Sequence, residues 1–494
     1  MSKHFGAVTW LFAALLLILQ FFNNSHAQVV HATLTIRASQ PQTLQIKGNF
    51  DKATRIKHLT LLREYASTQD LAERASDISL VDSNGDRVAF KKFQAGEFEA
   101  ERDIAGFEYT VALVPQKTAA SAGHASWLNG TGGILFLHDL LPQLPARSGI
   151  AGTRVRLELP PGWKAAGGRE VEKGDLQFPQ VENGVIFVGP DIRLRQVAVG
   201  DIKLTTAATG NWNFSDDELV RLAQDIYGAN RALFGGDPAS DALVILSKFP
   251  NPVSPGNWEG DTRGSTVTIV SSDMPFKTQS IQRLHEQLRH EIFHLWIPNG
   301  VNLTGSYDWF YEGFALYESL KTAVALNRIR FDDFLDTLAR AHSIDTLQTQ
   351  RPSLIEASRS RWAGANTQVY ARGMLVAFLC DLAIIQRGKG WNSVDELVKT
   401  VFQTYHNVAE PHDGTEAVVS IMRSRPELTA IVDRYIQGKE TINWDNDLRL
   451  AGIESTSANF NTTLKVVGKP SDRQKALLDK LGYNNWRKLP ADSK

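Results

Sequence analysis

One cysteine, Cys380, stands in 494 residues, so no intrachain disulfide can form and no pair of thiolates is available for metal binding or redox chemistry. It lies in the apolar run 374–382 and reads as a small buried hydrophobe. An excess of one charge is also missing. With 53 basic against 54 acidic side chains, the chain has no field that would draw nucleic acid or a strongly charged ligand, and no nucleic-acid partner is expected. No internal repeat at solenoid spacing is visible. Beyond the first residues no segment reads as long and apolar enough to span a bilayer, so no stable span is expected in the mature chain.

The first residues do carry an apolar run. Lys3 and His4 precede a mostly apolar stretch over 7–22, followed by the polar 23–26 and the small pair Ser25 and Ala27. This is the pattern of an export signal over 1–27, cleaved before Gln28 to release a periplasmic or extracellular protein. An uncleaved membrane anchor is the other reading, because the run is only slightly shorter than the roughly 20 residues that span a bilayer. The remaining chain suffices for two to four domains at roughly 100–200 residues each.

From Gln28 to about Thr206 the apolar pattern has period two, as in Val30, Ala32, Leu34 and Ile36 and again in Val155, Leu157 and Leu159, so 28–206 is expected to be a β-rich domain. The period changes at Ser215. Ser215-Asp216-Asp217-Glu218 has the form of a capping box, and Leu219, Leu222, Ile226 and Tyr227 follow at helical spacing up to Gly235-Gly236. The boundary is therefore expected between Thr205 and Asn213. Two short strands are predicted, over 242–246 and 265–270, with a loop rich in Pro and Gly over 250–260 between them. Helices are predicted up to Pro298-Asn299-Gly300, from Asp308, over 374–385, from a capping box at Ser393, and over 428–437. These divide into a domain over 207–390 and a helical part over 391–450. Residues 451–494 are polar and weakly patterned, and read as a loose tail.

His290-Glu291-Ile292-Phe293-His294 is an HExxH run. Two imidazoles four residues apart share one helix face and can both ligate Zn²⁺, with Glu291 beside them to handle protons. Eighteen positions after His294, Glu312 stands in Trp309-Phe310-Tyr311-Glu312-Gly313-Phe314-Ala315 and can complete a two-His, one-Glu site. Three protein ligands leave a fourth position for water, so one zinc per chain is expected, with Glu291 as general base.

These segments resemble the gluzincin metallopeptidases, in which HExxH is followed by a glutamate in a W-x-x-E-G segment. The sequence Val369-Tyr370-Ala371-Arg372-Gly373 is similar to the Y-x-K-G segment of the glycyl aminopeptidase and aminopeptidase N families. Gly256-Asn257-Trp258-Glu259-Gly260, with Ser265-Thr266-Val267 after it, is similar to the glycyl aminopeptidase pattern G-G-L-E-H followed by N-S-T-V, and Leu159-Pro160-Pro161-Gly162-Trp163 to that family's L-P-x-G-W. The resemblance implies an α+β multidomain protein, with the β-rich N-terminal domain followed by a thermolysin-like catalytic domain and a helical C-terminal part. The C-terminal PDZ domain that glycyl aminopeptidases often carry is not expected here, since fewer than fifty residues follow Leu450.

The same resemblance implies an exported zinc metallopeptidase acting as an aminopeptidase on peptides or proteins. Tyr370 would donate to the oxyanion of the reaction, and Glu259, with Gly256 in its segment, would bind the substrate's amino group. Glu318 matches the final glutamate of E-G-x-x-x-Y-x-E, where it could support a ligand histidine if the helices cross favourably. Seventeen residues separate His294 from Glu312, one fewer than in aminopeptidase N relatives, and Gly260 stands where the glycyl aminopeptidases have histidine. Two other readings stay open: an endopeptidase with the same zinc chemistry, and a binding protein on this fold whose catalysis has lapsed.

Overall fold

The computed structural model describes residues 28–50, 56–66, 68–143, 150–171, 174–387 and 390–485. The expected export signal lies outside them. The period-two strands form a seven-stranded sheet in the order Arg169–Glu170, Leu176–Phe178, Ile150–Glu158, Gln28–Arg37, Gln40–Phe50, Gly106–Ala112 and Ala75–Val81. Leu34 pairs with Ile46 on one side and Leu157 on the other, and Val30, Ala32, Leu34 and Ile36 all face inward, as alternation requires.

A second, four-stranded sheet (Lys164–Ala166, Val185–Gly189, Gly132–Phe136, Trp127–Asn129) links the two halves of the molecule. Its central strands read Val185-Ile186-Phe187-Val188 and Ile134-Leu135-Phe136, apolar without alternation, because both faces are buried. Ile186, Val188 and Leu135 join the N-terminal core. Val185, Phe187, Ile134 and Phe136 point the other way, against Ala207, Ile245 and Val270 of the next sheet.

That next sheet runs Arg193–Val199, Ile202–Ala208, Asp241–Lys248, Thr266–Ser271, Trp258–Arg263. It corrects two expectations. The strands over 193–208, assigned by their period to the N-terminal domain, pair in register with the C-terminal half, Ala207 opposite Ile245; period two identifies a strand but not the sheet it joins. The Pro- and Gly-rich loop is shorter than expected, since Trp258–Arg263 is an edge strand, antiparallel to Thr266–Ser271.

Behind this sheet lie the helices, and one continuous core runs from Ile202 to Leu481. The Ser215 capping box forms, with the Glu218 amide donating to the Ser215 hydroxyl and Gly235 closing the helix at φ 77°. At Ser393 it does not form: the helix there, Asp395–Tyr405, has Val394 as its N-cap, and Asp381 Oδ1 accepts the Val394 amide at 2.8 Å. The expected loose tail is folded. Ile453–Ala458 and Asn461–Val466 form a hairpin and Asp472–Lys480 a helix, with Ile453, Leu464, Leu478 and Leu481 buried in the common core. With Leu477 these make five buried aliphatic residues in an otherwise polar segment. One described segment, Gln368–Arg387, is long and apolar enough to cross a bilayer, contrary to the expectation, and most of it is buried inside the protein.

Two glycines permit a close helix crossing. A Cβ on Gly313 would lie 2.5 Å from the Cα of Gly373, and one on Gly373 would lie 2.7 Å from the Trp309 carbonyl. The helix Asp308–Ala325 can thus touch the start of Gly373–Arg387 backbone to backbone. Gly313→Ala should push them apart and destabilise the protein by about 1–3 kcal/mol. Denaturant unfolding tests this, and an unchanged midpoint would refute the crossing.

Candidate metal centre and its cavity

Leu284, Leu288 and Ile292, at most 2% exposed, form the inward stripe of the helix Lys277–Phe293. Phe293 and Trp296 each pack on Phe234 with ring centroids 5.4 Å apart, anchoring the C-terminal end of the helix. The other face is left to His290, Glu291 and the helix-ending His294, all buried. Glu312 approaches from the first turns of Asp308–Ala325.

Three atoms converge. His290 Nε2 and His294 Nε2 are 3.3 Å apart, and Glu312 Oε2 lies 3.2 Å from the first and 3.4 Å from the second. A tetrahedral centre with bonds of about 2.0–2.1 Å has ligand-to-ligand edges of roughly 3.3–3.4 Å, so this triangle has the dimensions of one face of a zinc site. The tautomer fits as well, because His294 Nδ1 lies 3.0 Å from the Ile297 carbonyl and donates its proton there, leaving the Nε2 lone pair inward. Burial alone lowers the His294 imidazole, but Glu312, Glu291 and that carbonyl together raise it to about 9. The cluster attracts a cation.

Glu312 divides its two oxygens. Oε2 faces the histidines and has no other hydrogen-bond partner, while Oε1 lies 2.9 Å from Arg361 Nη2. Burial raises its carboxyl, yet Arg361 and His294 hold it well below the usual carboxylate range, so Glu312 is charged.

Glu291 sits across from the edge strand. Its Oε2 accepts from the Thr262 hydroxyl at 2.8 Å, and its Oε1 would be 2.3 Å from a Cβ on Gly260. A side chain at Gly260 would have to displace this carboxylate rotamer. Asn299 fixes the register between strand and helix: its amide donates to the Thr262 and His294 carbonyls at 2.8 and 3.0 Å, and its Oδ1 accepts from the Gly264 amide. Burial raises the Glu291 carboxyl, with His290 and His294 drawing it part of the way back. A raised carboxyl suits a group that takes up and returns a proton.

Tyr370 lies in a π-helical turn, Gln368–Arg372, at the entry to Gly373–Arg387, and its hydroxyl accepts from Arg361 Nη2 at 2.7 Å. Burial and the Glu312 charge keep its phenol protonated. Glu259 projects from the edge strand, 3.8 Å from His124 Nε2 of the N-terminal half. Burial raises its carboxyl and Glu291 adds to that, against His124. The short helix Ser121–His124 packs so closely that a Cβ on Gly123 would be 2.8 Å from the Glu259 Cβ.

One cavity of about 680 Å³ joins His290, Glu291, His294, Glu312, Tyr370 and Glu259. Two of the expected residues stand apart. Gly256 is in a turn at φ 81°, against Met274 and Arg283, and is not part of the lining. Glu318 bonds neither ligand histidine; its Oε1 and His290 Nδ1 are both buried without a hydrogen-bond partner, and Lys321, Asp395 and Asp381 are its charged neighbours.

Several lining groups escaped the sequence reading. Arg361 and Trp362 come from a short turn with no helical or strand period, and Tyr65, His124 and His138 from the N-terminal half. Arg263 binds Asp261 through Nε and Nη2 at 2.9 and 2.7 Å and donates to His138 Nδ1, pinning that half to the edge strand. No motif spacing joins residues this distant. The alternating Asp261 and Arg263 in a Gly-flanked segment were the one available signal.

No protein-family model matches the chain, and no curated protein does. Solved structures do. An aminopeptidase N family protein from Idiomarina loihiensis superposes with a TM-score of 0.73 at 15% identity, over 90% of this chain and 82% of that one. A mutant M1 zinc metallopeptidase from Deinococcus radiodurans gives 0.55 at 15% identity, over 84% and 95%. The same Deinococcus enzyme bound to a Tyr-Ser-Ala substrate gives 0.55 at 16% identity, over 84% and 94%. With its β-rich first half, helical second half and convergent two-His, one-Glu cluster, this chain has the fold of the aminopeptidase N type M1 metallopeptidases.

Proposed function

We propose that the protein is an exported zinc metallopeptidase that releases residues from the amino end of peptides. The observation that carries this is the triangle of His290 Nε2, His294 Nε2 and Glu312 Oε2, with edges of 3.2–3.4 Å and a buried carboxylate, Glu291, on the same cavity wall. Export is read from residues 1–27. The neighbour solved with Tyr-Ser-Ala supports a peptide as the ligand class.

His290, His294 and Glu312 would hold one zinc per chain, which would supply a Lewis acid able to acidify water and polarise a carbonyl. Glu291 takes the proton from the attacking water and passes it to the departing amine, and Thr262 keeps its carboxylate facing the cavity. Tyr370 donates its hydroxyl proton to the oxygen of the scissile carbonyl as charge develops there. Glu259 receives the substrate's ammonium group. Behind it the Ser121–His124 helix packs against the edge strand that carries Glu259, and a carboxylate at that place favours amino-terminal over internal cleavage.

Three outcomes are expected. Purified protein should hold about one zinc, and Glu291→Gln should keep the metal while hydrolysis falls by roughly 10²–10⁴-fold; parent-like turnover in that variant excludes Glu291 as the base. Tyr370→Phe should lower kcat by roughly 10²-fold with little change in KM, since its bond strengthens only in the transition state; an effect confined to KM would reject that role. Acetylating a peptide's amino terminus should abolish its cleavage, whereas equal cleavage of free and blocked peptides would establish an endopeptidase.

A further inference from the structure

Arg361 is buried beside the cavity, on the turn Arg361–Ala363, in a segment that no motif covers. Every polar arm of it is engaged. Nη2 lies 2.9 Å from Glu312 Oε1 and donates to the Tyr370 hydroxyl oxygen at 2.7 Å; Nη1 donates to Asp308 Oδ1 at 2.9 Å; Nε donates to Asn366 Oδ1 at 3.2 Å. Its guanidinium lies over the Trp362 ring, 4.4 Å from the centroid. Asp308 is held in turn by the Tyr311 hydroxyl at 2.6 Å.

We propose that Arg361 is a positioning residue that couples the metal ligand Glu312 to the oxyanion donor Tyr370. The inference rests on the metal-site reading above. A guanidinium only donates and stays charged, so the two atoms it meets through Nη2 must both be acceptors. For Glu312 this commits Oε1 to Arg361 and leaves Oε2 alone to the metal, making the carboxylate a one-oxygen ligand. For Tyr370 it means the phenol oxygen accepts from Arg361, so the hydroxyl's own proton, which Glu312 faces in this structure, is the one that can turn to a substrate oxygen. One nitrogen thereby sets the separation between the ligand that anchors the metal and the phenol that meets the developing charge. The second nitrogen, on Asp308 one helical turn before Glu312, fixes the plane of the fork. Lysine can supply the charge but not that plane.

The test measures zinc affinity by competition with a chelator, and kcat and KM on a free-amine peptide, for the parent, Arg361→Met, Arg361→Lys, Tyr370→Phe and Arg361→Met/Tyr370→Phe. Loss of the Glu312 contact should weaken zinc by about 10–100-fold in Arg361→Met, with or without Tyr370→Phe, and leave Tyr370→Phe alone unaffected. A displaced phenol should lower kcat of zinc-saturated Arg361→Met by roughly 10²-fold with KM nearly constant. That kcat loss should shrink in the Tyr370→Phe background, because its route has gone. Arg361→Lys should recover part of the zinc affinity and little of the kcat. Parent-like zinc affinity in Arg361→Met, or the same kcat loss in both backgrounds, overturns the coupling. Should Arg361→Met not fold, Arg361→Lys decides alone: parent-like kcat refutes the proposal. Failure of the parent itself to bind zinc overturns the metal-site reading, and the coupling with it.

Discussion

The site depends on a carboxylate that is out of water and still charged. Glu312 is 6% exposed, and an isolated carboxylate there would take a proton rather than bear the desolvation cost. It stays ionised because two imidazoles face one oxygen and a guanidinium faces the other. The same three neighbours give Glu312 a direction. A carboxylate oxygen turned toward two imidazole nitrogens is an arrangement that a divalent cation can complete in place of their protons, and the orphaned Oε2 marks where.

Getting four acidic or phenolic groups around that point is a steric problem, solved largely with glycine. Gly313 and Gly373 let the helix bearing Glu312 meet the turn bearing Tyr370; Gly260 makes room for the Glu291 carboxylate; Gly123 lets the N-terminal half close over Glu259. At Gly313 and Gly373 the approach is backbone to backbone and too close for a side chain; at Gly260 and Gly123 a side chain would have to displace Glu291 or Glu259. The motif glycines of E-G and Y-x-R-G are thus one contact seen from its two sides. The N-terminal half is also more than a support, because its Tyr65, His124 and His138 line the cavity and the His138–Arg263 bond ties it to the edge strand.

Local chemistry was readable from the chain. The HExxH spacing, the Glu312 segment, the Ser215 cap and the buried helix after Gly373 each depend on neighbours within a turn or two, and each stands where the residues place it. What the chain concealed was relational. Strands 193–208 alternate as any half-buried strand does, so nothing local says they join the sheet of the C-terminal half. Trp258–Arg263 hid among glycines and prolines because an edge strand needs little apolar patterning. The folded 453–485 was lost to its polar surface, five buried aliphatics being too few to outweigh it. Arg361 was invisible for another reason: its partners at 308, 312 and 370 converge only after two helices cross.

The central claim is that His290, His294 and Glu312 enclose one zinc ion. An anomalous difference map from zinc-loaded crystals, recorded on either side of the zinc absorption edge, tests it most directly. The account predicts a single peak about 2.0–2.2 Å from His290 Nε2, His294 Nε2 and Glu312 Oε2 together, with Glu312 Oε1 still against Arg361. A map without a peak between those three side chains, or with its strongest peak elsewhere, would contradict it.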